Sequence, residues 1–180
     1  MRQPLAAGTA PVAPCCPPFS ATAARTRNRH GGAPAAALWD HGPHMMSMFL
    51  PVLGPAEEVT AVQGQHETSH VLVRHAGGAV SALAVSLTVP KASTGLDVAF
   101  LGDSGVTHLP VAGVEPVPAL ARAAGELARA AAGLSAGRVC DVRFGWEVNA
   151  VLTAAAESIA TGRGVAVRHL QSLTSAPARA

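Results

Sequence analysis

Asp40, His41 and His44 lie within five residues of each other in the stretch WDHGPH, and their side chains allow three interpretations. They could bind a metal ion, exchange a proton with a substrate, or form the polar start of a helix. A histidine with a carboxylate neighbour can act as a general acid or base, because the carboxylate orients the ring and stabilises the imidazolium. An aspartate before a helix can simply cap it. No third metal ligand follows at a recognisable spacing, so the proton-transfer and capping interpretations stay open.

The elements around this cluster decide where its side chains lie. Residues 35–39 form a short apolar run that predicts a strand, and Gly42-Pro43 is typical of a helix start. Apolar residues then recur at helical spacing until Gly54-Pro55 ends the helix; they are Met45, Met46, Met48, Phe49, Val52 and Leu53. The pattern predicts that Asp40 and His44 flank a strand-to-helix junction, where backbone donors of a helix N-terminus converge.

The rest of the chain predicts the fold class. Residues 58–111 alternate between apolar and polar positions, with turn signals at Gly77-Gly78 and at residues 102–105. Residues 118–132 and 142–161 predict helices, and a last edge strand is expected in the stretch GVAVRHL. Sequential strands without intervening helices favour antiparallel pairing. We therefore expect an α+β fold, with a predominantly antiparallel open sheet and helices packed on one face.

Two further sets of residues could suggest chemistry. The GDSG stretch around Ser104 resembles a serine-protease nucleophile motif, but it falls in the middle of a hairpin, and a polar turn explains it. His66, His70 and His75 include an HxxxH spacing, which binds zinc on a helix. On a strand the same spacing separates two residues by roughly 13 Å, too far for one ion. Surface or edge-strand histidines are the better interpretation.

Composition limits the remaining classes of function and the expected cellular compartment. Hydrophobic residues make up 49% and charged residues 13%, so most of the chain should fold. Residues 1–39 hold four arginines and no acid, whereas the rest is slightly acidic, which gives no reason to expect nucleic-acid binding. Residues 1–30 are rich in proline and alanine and predict a disordered arm. No apolar run approaches the roughly 18 residues of a spanning helix. No CxxC pair occurs among the three cysteines, and a cytoplasmic protein with reduced thiols is expected.

The layout as a whole resembles the Gfo/Idh/MocA oxidoreductase family, which includes glucose–fructose oxidoreductase and inositol dehydrogenase. The segment GGAPAAALWDHGPHMMSMFLPVLG is similar to that family's GG…D-x-G-x-H…D…LG segment, which opens the substrate domain. DVAFLGDSGVTHL resembles its strand-turn-strand unit, and DVRFGWEVNAVLTAAAESIATGRGVAV resembles its C-terminal helix. The resemblance covers about residues 30–169. It places a substrate and oligomerisation domain at residues 31–172 and a short tail at 173–180.

The resemblance implies a function for the cluster. Family members transfer hydride to or from sugars and polyols with NAD or NADP, and Asp40 and His44 match the Asp and His of D-x-x-x-H. His44 would relay a proton to the substrate hydroxyl, and Asp40 would hold the substrate or tune His44. Ser47 stands where the family often has Asp. His41 stands where an aliphatic residue is frequent and is expected to be a bystander.

The family's nucleotide-binding half has no counterpart in this sequence. Neither GxGxxG nor GxxxxGK[ST] occurs, and the Glu-Lys-Pro lysine of the family is missing. We therefore expect a truncated chain that is inactive alone and binds no nicotinamide cofactor by itself. Two alternatives stay open: a non-enzymatic module that forms homo-oligomers through its sheet face, and a fragment of a misannotated or decayed gene.

Overall fold

The computed structural model describes residues 20–26, 35–110, 115–134 and 140–169. Within these ranges the chain forms seven strands and three α-helices, with short 3₁₀ turns at Gln65–Glu67 and Lys91–Ser93. In chain order the elements are β1 (Ser20–Thr26), α1 (Ala36–Leu53), β2 (Ala56–Gln63), β3 (Ser69–His75), β4 (Val80–Ser86), β5 (Gly95–Gly102), β6 (Gly105–His108), α2 (Pro116–Ala131), α3 (Val142–Thr161) and β7 (Val165–Ala166).

The strands form one sheet in the order β6-β5-β1-β4-β3-β2-β7. Every neighbouring pair is antiparallel except β1 and β4, which run parallel. The two predicted turns join β3 to β4 and β5 to β6, and each uses a glycine with positive φ, Gly78 at 83° and Gly105 at 112°. Glycine tolerates this region because it lacks a Cβ. The predicted α+β class, the antiparallel open sheet and the terminal edge strand are confirmed.

β1 is the main departure from the sequence-based expectation. Ser20–Thr26 was assigned to a disordered arm, but it is an interior strand paired with β4 on one side and β5 on the other. Ala21 and Ala23 point into the core, whereas Thr22 is exposed. Alanines on the inward face give a weak hydrophobic signal, and the pairing partners lie more than 50 residues away in sequence, so local pattern did not reveal the strand. The rest of the expected arm, 1–19 and 27–30, lies outside the described residues.

The core lies between one face of the sheet and two helices. α1 packs against β1, β3 and β4, α3 packs against β2, and the two helices contact each other. Phe49 of α1 is fully buried and meets Phe100 of β5 edge to face, with ring centroids 5.9 Å apart. Other fully buried side chains include Leu38, Met45, Met46, Val59, Val73, Val85, Val98 and Leu152. This layer fixes α1 against the sheet.

The start of α1 differs from the prediction of a strand at residues 35–39. The helix already begins at Ala36, after Ala35 in the left-handed conformation with φ 65°. The strand prediction was wrong because Ala37 and Leu38 are the first buried turn of the helix. Pro43 lies inside the helix, where it removes one backbone donor. The predicted end is confirmed, since the Gly54 N–H donates to the Leu50 carbonyl at 3.0 Å.

The two later helices differ in their surroundings. α3 has the predicted bounds; Asp141 caps it by accepting from the Phe144 N–H at 2.8 Å, and Gly162 ends it in the left-handed region. α2 forms as predicted but has no buried residue. Cys140, just before α3, is an exposed free thiol. Among the described helices, none is long and apolar enough to cross a membrane.

Candidate functional site

Asp40 and His44 lie one turn apart on the solvent-exposed side of α1. Their spacing of four residues puts both side chains on one helix face, and both are exposed, with the Asp40 side chain 41% accessible. The residues between and after them, such as His41, Gly42 and Met45, are buried against the sheet and α3. The structure therefore brings the two predicted site residues together.

Their position within the helix corrects the expected junction. Asp40 is the fifth residue of α1, and the N-cap position belongs to Ala35, so Asp40 does not cap this helix. The two side chains project from a continuous helix rather than from a loop. Because the helix is held by its buried stripe, the exposed carboxylate and imidazole have a firm backbone support.

His41 is placed differently from its neighbours. It is 1% exposed, and its Nδ1 lies 3.2 Å from the carbonyl oxygen of Arg25 at the end of β1. Its Nε2 lies 3.9 Å from Oδ2 of Asp40. His41 was expected to be a bystander, because the run HGPH does not reveal which histidine faces the core.

Gly42 brings α1 close to α3 beside this cluster. A Cβ atom at Gly42 would lie 2.6 Å from Cδ2 of Leu152 and 3.5 Å from Cδ1 of Leu38. Leu152 is 1% exposed, so its side chain has little room to move away. The missing side chain at Gly42 therefore allows α1 to pack closely on α3, which supports the helix that carries Asp40 and His44.

Ser47 occupies the position where an Asp is frequent in the resembling family. Its hydroxyl donates to the carbonyl of His44 at 2.8 Å, a bond back along the same helix. Ser47 is exposed on the same side of α1 as Asp40 and His44. Asp40, His44 and Ser47 thus place three polar side chains on the exposed side of α1.

The other sequence candidates lie elsewhere. Ser104 is exposed in the turn between β5 and β6. Asp97 and His108, whose Oδ1 and Nδ1 are 3.3 Å apart, pair at the other end of this hairpin. His66 and His70 are exposed, as expected. Within the described part of the chain, no group of three histidine, cysteine or acidic side chains could hold a metal ion.

His75 corrects the expectation of surface or edge-strand histidines. It is fully buried on β3, an interior strand. Its Nδ1 donates to the Gly54 carbonyl at 2.8 Å, and its Nε2 accepts from the Ser81 hydroxyl at 2.9 Å. Burial lowers the pKa of His75 below its usual 6.5, because the charged ring is poorly solvated there. His75 fastens the end of α1 to the sheet.

A groove of about 220 Å³ runs between α3 and β7 on another part of the surface. Its lining includes both apolar and polar residues, and no residue of α1 takes part. The main lining side chains are Trp146, Asn149, Thr153, Glu157 and Arg168. The groove is therefore separate from the Asp40 and His44 surface.

No family model and no curated protein matches the chain. Solved structures do match. The NAD-bound oxidoreductase from Agrobacterium radiobacter, in complex with L-tartaric acid and magnesium, is 19% identical with a TM-score of 0.61, over 83% of this chain and 56% of that one. The WlbA dehydrogenase from Bordetella pertussis, in complex with NADH and UDP-GlcNAcA, is 17% identical with a TM-score of 0.65, over 84% and 55%. The myo-inositol dehydrogenase from Lactobacillus casei, in complex with NAD(H) and myo-inositol, is 13% identical with a TM-score of 0.67, over 84% and 54%.

These likenesses concern the fold. The chain spans between 54% and 56% of the length of these three solved proteins. They are oxidoreductases of the Gfo/Idh/MocA type, so the resemblance given by the sequence is confirmed at the level of the fold. The chain shares the fold of part of these three proteins.

Proposed function

We propose that this chain is the substrate-binding domain of a Gfo/Idh/MocA-type, NAD(P)-dependent oxidoreductase that acts on a sugar or polyol. The observation that carries the proposal is the joint exposure of Asp40 and His44 on one face of α1, in a fold shared with sugar and polyol dehydrogenases. The relatives' substrates are rich in hydroxyl groups, and a carboxylate with an imidazole one turn away suits hydroxyl recognition.

The proposed chemistry assigns one role to each side chain. Oxidation of a CH–OH group removes a hydride and a proton, and the nicotinamide would take the hydride. The imidazole of His44 would accept the hydroxyl proton within hydrogen-bond reach, and would return it in the reverse direction. The Asp40 carboxylate would accept a hydrogen bond from a substrate hydroxyl and orient it toward His44. Both groups are exposed, which leaves them accessible to a ligand.

Binding of a polyol to this surface tests the proposal. Saturation-transfer NMR with myo-inositol and levoglucosan should show transfer from the wild-type chain and its loss in the double variant Asp40→Asn, His44→Ala. Ser104→Ala, in the distant β5–β6 turn, is the matched control and should bind as the wild type does. Equal transfer to the wild type and the double variant would contradict the assigned site.

The proposal includes no dinucleotide site on this chain. The sequence holds no GxGxxG fingerprint, and helix N-termini that bind dinucleotide phosphates rely on such glycine-rich turns. We expect that NADH titrated into the chain in a calorimeter gives no binding heat, and that the chain alone does not oxidise polyols with NAD or NADP. Micromolar binding of NADH would overturn this part of the proposal.

A second candidate function follows from the sheet face that α1 and α3 leave uncovered. This open face consists of two rows of cross-strand neighbours. Val62 and Leu72 are 57% and 49% exposed, and the neighbouring residues except His70 are small. One row consists of Thr22, Ala82, Leu72 and Thr60, and the other consists of Ala24, Ala84, His70 and Val62. We propose that a second copy of the chain covers this face, because a contiguous apolar surface favours association.

Light scattering distinguishes this oligomer from a monomer of 18.1 kDa. The wild-type chain should scatter as a dimer, and Leu72→Lys should shift it to the monomer, because a lysine would be buried in the interface. Val117→Lys on α2 is the control: Val117 is also exposed, at 77%, but lies outside the open face. A wild-type chain that stays monomeric at high concentration would contradict the assembly.

We also propose that the protein acts in the cytoplasm. The proposal rests on the reduced state expected for its thiols, of which Cys140 is a free cysteine in the structure. A fluorescent fusion expressed in a bacterial cell should be distributed through the cell interior. Fluorescence confined to the envelope would contradict the assignment.

A further inference from the structure

His41 lies directly beneath the Asp40 carboxylate, between the exposed face of α1 and the end of β1. Its ring is 1% exposed, whereas the Asp40 side chain is 41% exposed. One ring nitrogen faces the Arg25 carbonyl at 3.2 Å, and the other faces Oδ2 of Asp40 at 3.9 Å. The buried ring thus connects a strand of the sheet to a residue of the proposed site.

The chemistry of the carbonyl fixes the protonation of one nitrogen. A backbone carbonyl only accepts hydrogen bonds, so Nδ1 of His41 carries a proton to make the bond to Arg25. Nε2 is then the nitrogen that faces Asp40. In the imidazolium form this nitrogen also carries a proton, and its 3.9 Å separation from Oδ2 is longer than a hydrogen bond but within the distance of an ion pair.

The packing around the ring keeps this geometry in place. Gly42 follows His41 and lies against Leu152, and Leu38, one turn earlier on the same helix side, is fully buried. The helix segment that carries the ring is therefore held by the contact between α1 and α3. An exposed aspartate next to it would otherwise sample several side-chain rotamers, each at little cost.

We propose that His41 is a positioning residue, which holds the Asp40 carboxylate in one rotamer beside His44. What this orientation does for a substrate rests on the proposed function, but the contact itself can be tested without substrate or cofactor. The carboxylate would be set in advance toward the same side of α1 as His44, which reduces the entropy lost when a hydroxyl compound binds.

The first test uses His41→Asn. The asparagine amide places an N–H near the position of Nδ1 and can keep the bond to Arg25, but it has no group in the position of Nε2. Side-chain couplings of Asp40, measured by NMR on the isotope-labelled full chain, should report a single χ1 rotamer in the wild type and rotamer averaging in His41→Asn. Ser47→Ala, on the same exposed face, should leave the Asp40 couplings unchanged. An unchanged Asp40 rotamer in His41→Asn would overturn the proposal and leave His41 a structural role only.

The second test leaves the buried ring intact, in case His41→Asn does not fold. Asp40→Asn removes the charge at an exposed position, where folding is little affected. The ring ¹⁵N resonances of His41 should then shift at Nε2, while Nδ1 keeps the signature of a protonated nitrogen bonded to a carbonyl. A ring spectrum identical to that of the wild type would overturn the proposal. Polyol binding that Asp40→Asn leaves unchanged would instead count against the proposed function, whatever the ring spectrum shows.

Discussion

The two faces of the sheet carry the same strands but have opposite surroundings. On the covered face, Val59, Val73 and Val85 are fully buried under α1 and α3. On the open face, Val62 and Leu72 of the same strands are about half exposed. Because successive side chains of a strand alternate between faces, the difference reflects what lies above each face and not the composition of the strands. Stability is thus concentrated on one side of the sheet, and the other side is free to serve association.

The largest expected change in the free energy of unfolding follows truncation of a large aromatic residue on the covered face. Phe49→Ala should lower the free energy of unfolding by about 3–5 kcal/mol, because it opens a cavity under α1 and removes the edge-to-face contact with Phe100. Leu72→Ala on the open face should change it by no more than about 0.5 kcal/mol in the monomer. Urea unfolding of both variants measures the two values.

A comparable loss in both variants would contradict this division of the sheet. Measurement on dilute protein keeps the proposed association from adding stability to the open face. The slope of the urea transition should match the wild type in both variants, which shows that the unfolded states are alike.

A smaller effect is expected for a single buried hydroxyl on the covered side. Ser158 of α3 accepts from the Ala61 N–H at 2.8 Å and donates to the Arg163 carbonyl at 2.6 Å. Ser158→Ala should therefore cost about 1–3 kcal/mol, because a buried N–H and a partly buried carbonyl lose their partner. Thr153→Ala, whose exposed hydroxyl bonds only to its own helix at Asn149, is the control and should cost less than about 0.5 kcal/mol. Thermal unfolding that ranks the two variants equally would contradict the role of Ser158.

The smallest effect at neutral pH concerns His75, and it depends on acidity. Because burial lowers the folded-state pKa of His75 below 6.5, the unfolded chain binds a proton more readily than the folded chain. The stability contributed by neutral His75 is therefore complete above the pKa of His75 in the unfolded chain. It is lost as the pH falls through 6.5 toward the pKa of His75 in the folded chain. The free energy of unfolding should decline over this range more steeply in the wild type than in His75→Gln. Parallel pH profiles of the two proteins would rule out this account.

The sequence predicted the elements with strong local signals. The amphipathic period predicted the bounds of α3, to which the structure adds the cap at Asp141, and the hairpin glycines marked the β3–β4 and β5–β6 turns. β1 escaped prediction because alanines mark its inward face, and because its pairing with β4 and β5 is a long-range choice that the local pattern does not contain.

Prediction of the site was equally uneven. Asp40 and His44 could be selected because their spacing matches the D-x-x-x-H pattern, whereas their place on one face of a continuous helix was not predicted. The burial of His41 could not be predicted, since it depends on the carbonyl of Arg25 at the end of a strand that the sequence did not reveal. A helical rather than extended assignment of residues 36–39 would have put His41 on the side of Leu38 and Met45, which are spaced for the core.

The most direct test of the central claim is to map where a polyol meets the chain. A ¹H–¹⁵N correlation spectrum of the full chain, recorded during titration with myo-inositol, reports each backbone amide separately. The account predicts that the largest shifts cluster on α1 around Asp40 and His44, and that the open face and the groove beside Trp146 stay unchanged. Shifts confined to that groove, or no shift with any polyol, would contradict the assignment of a substrate domain with its site on α1.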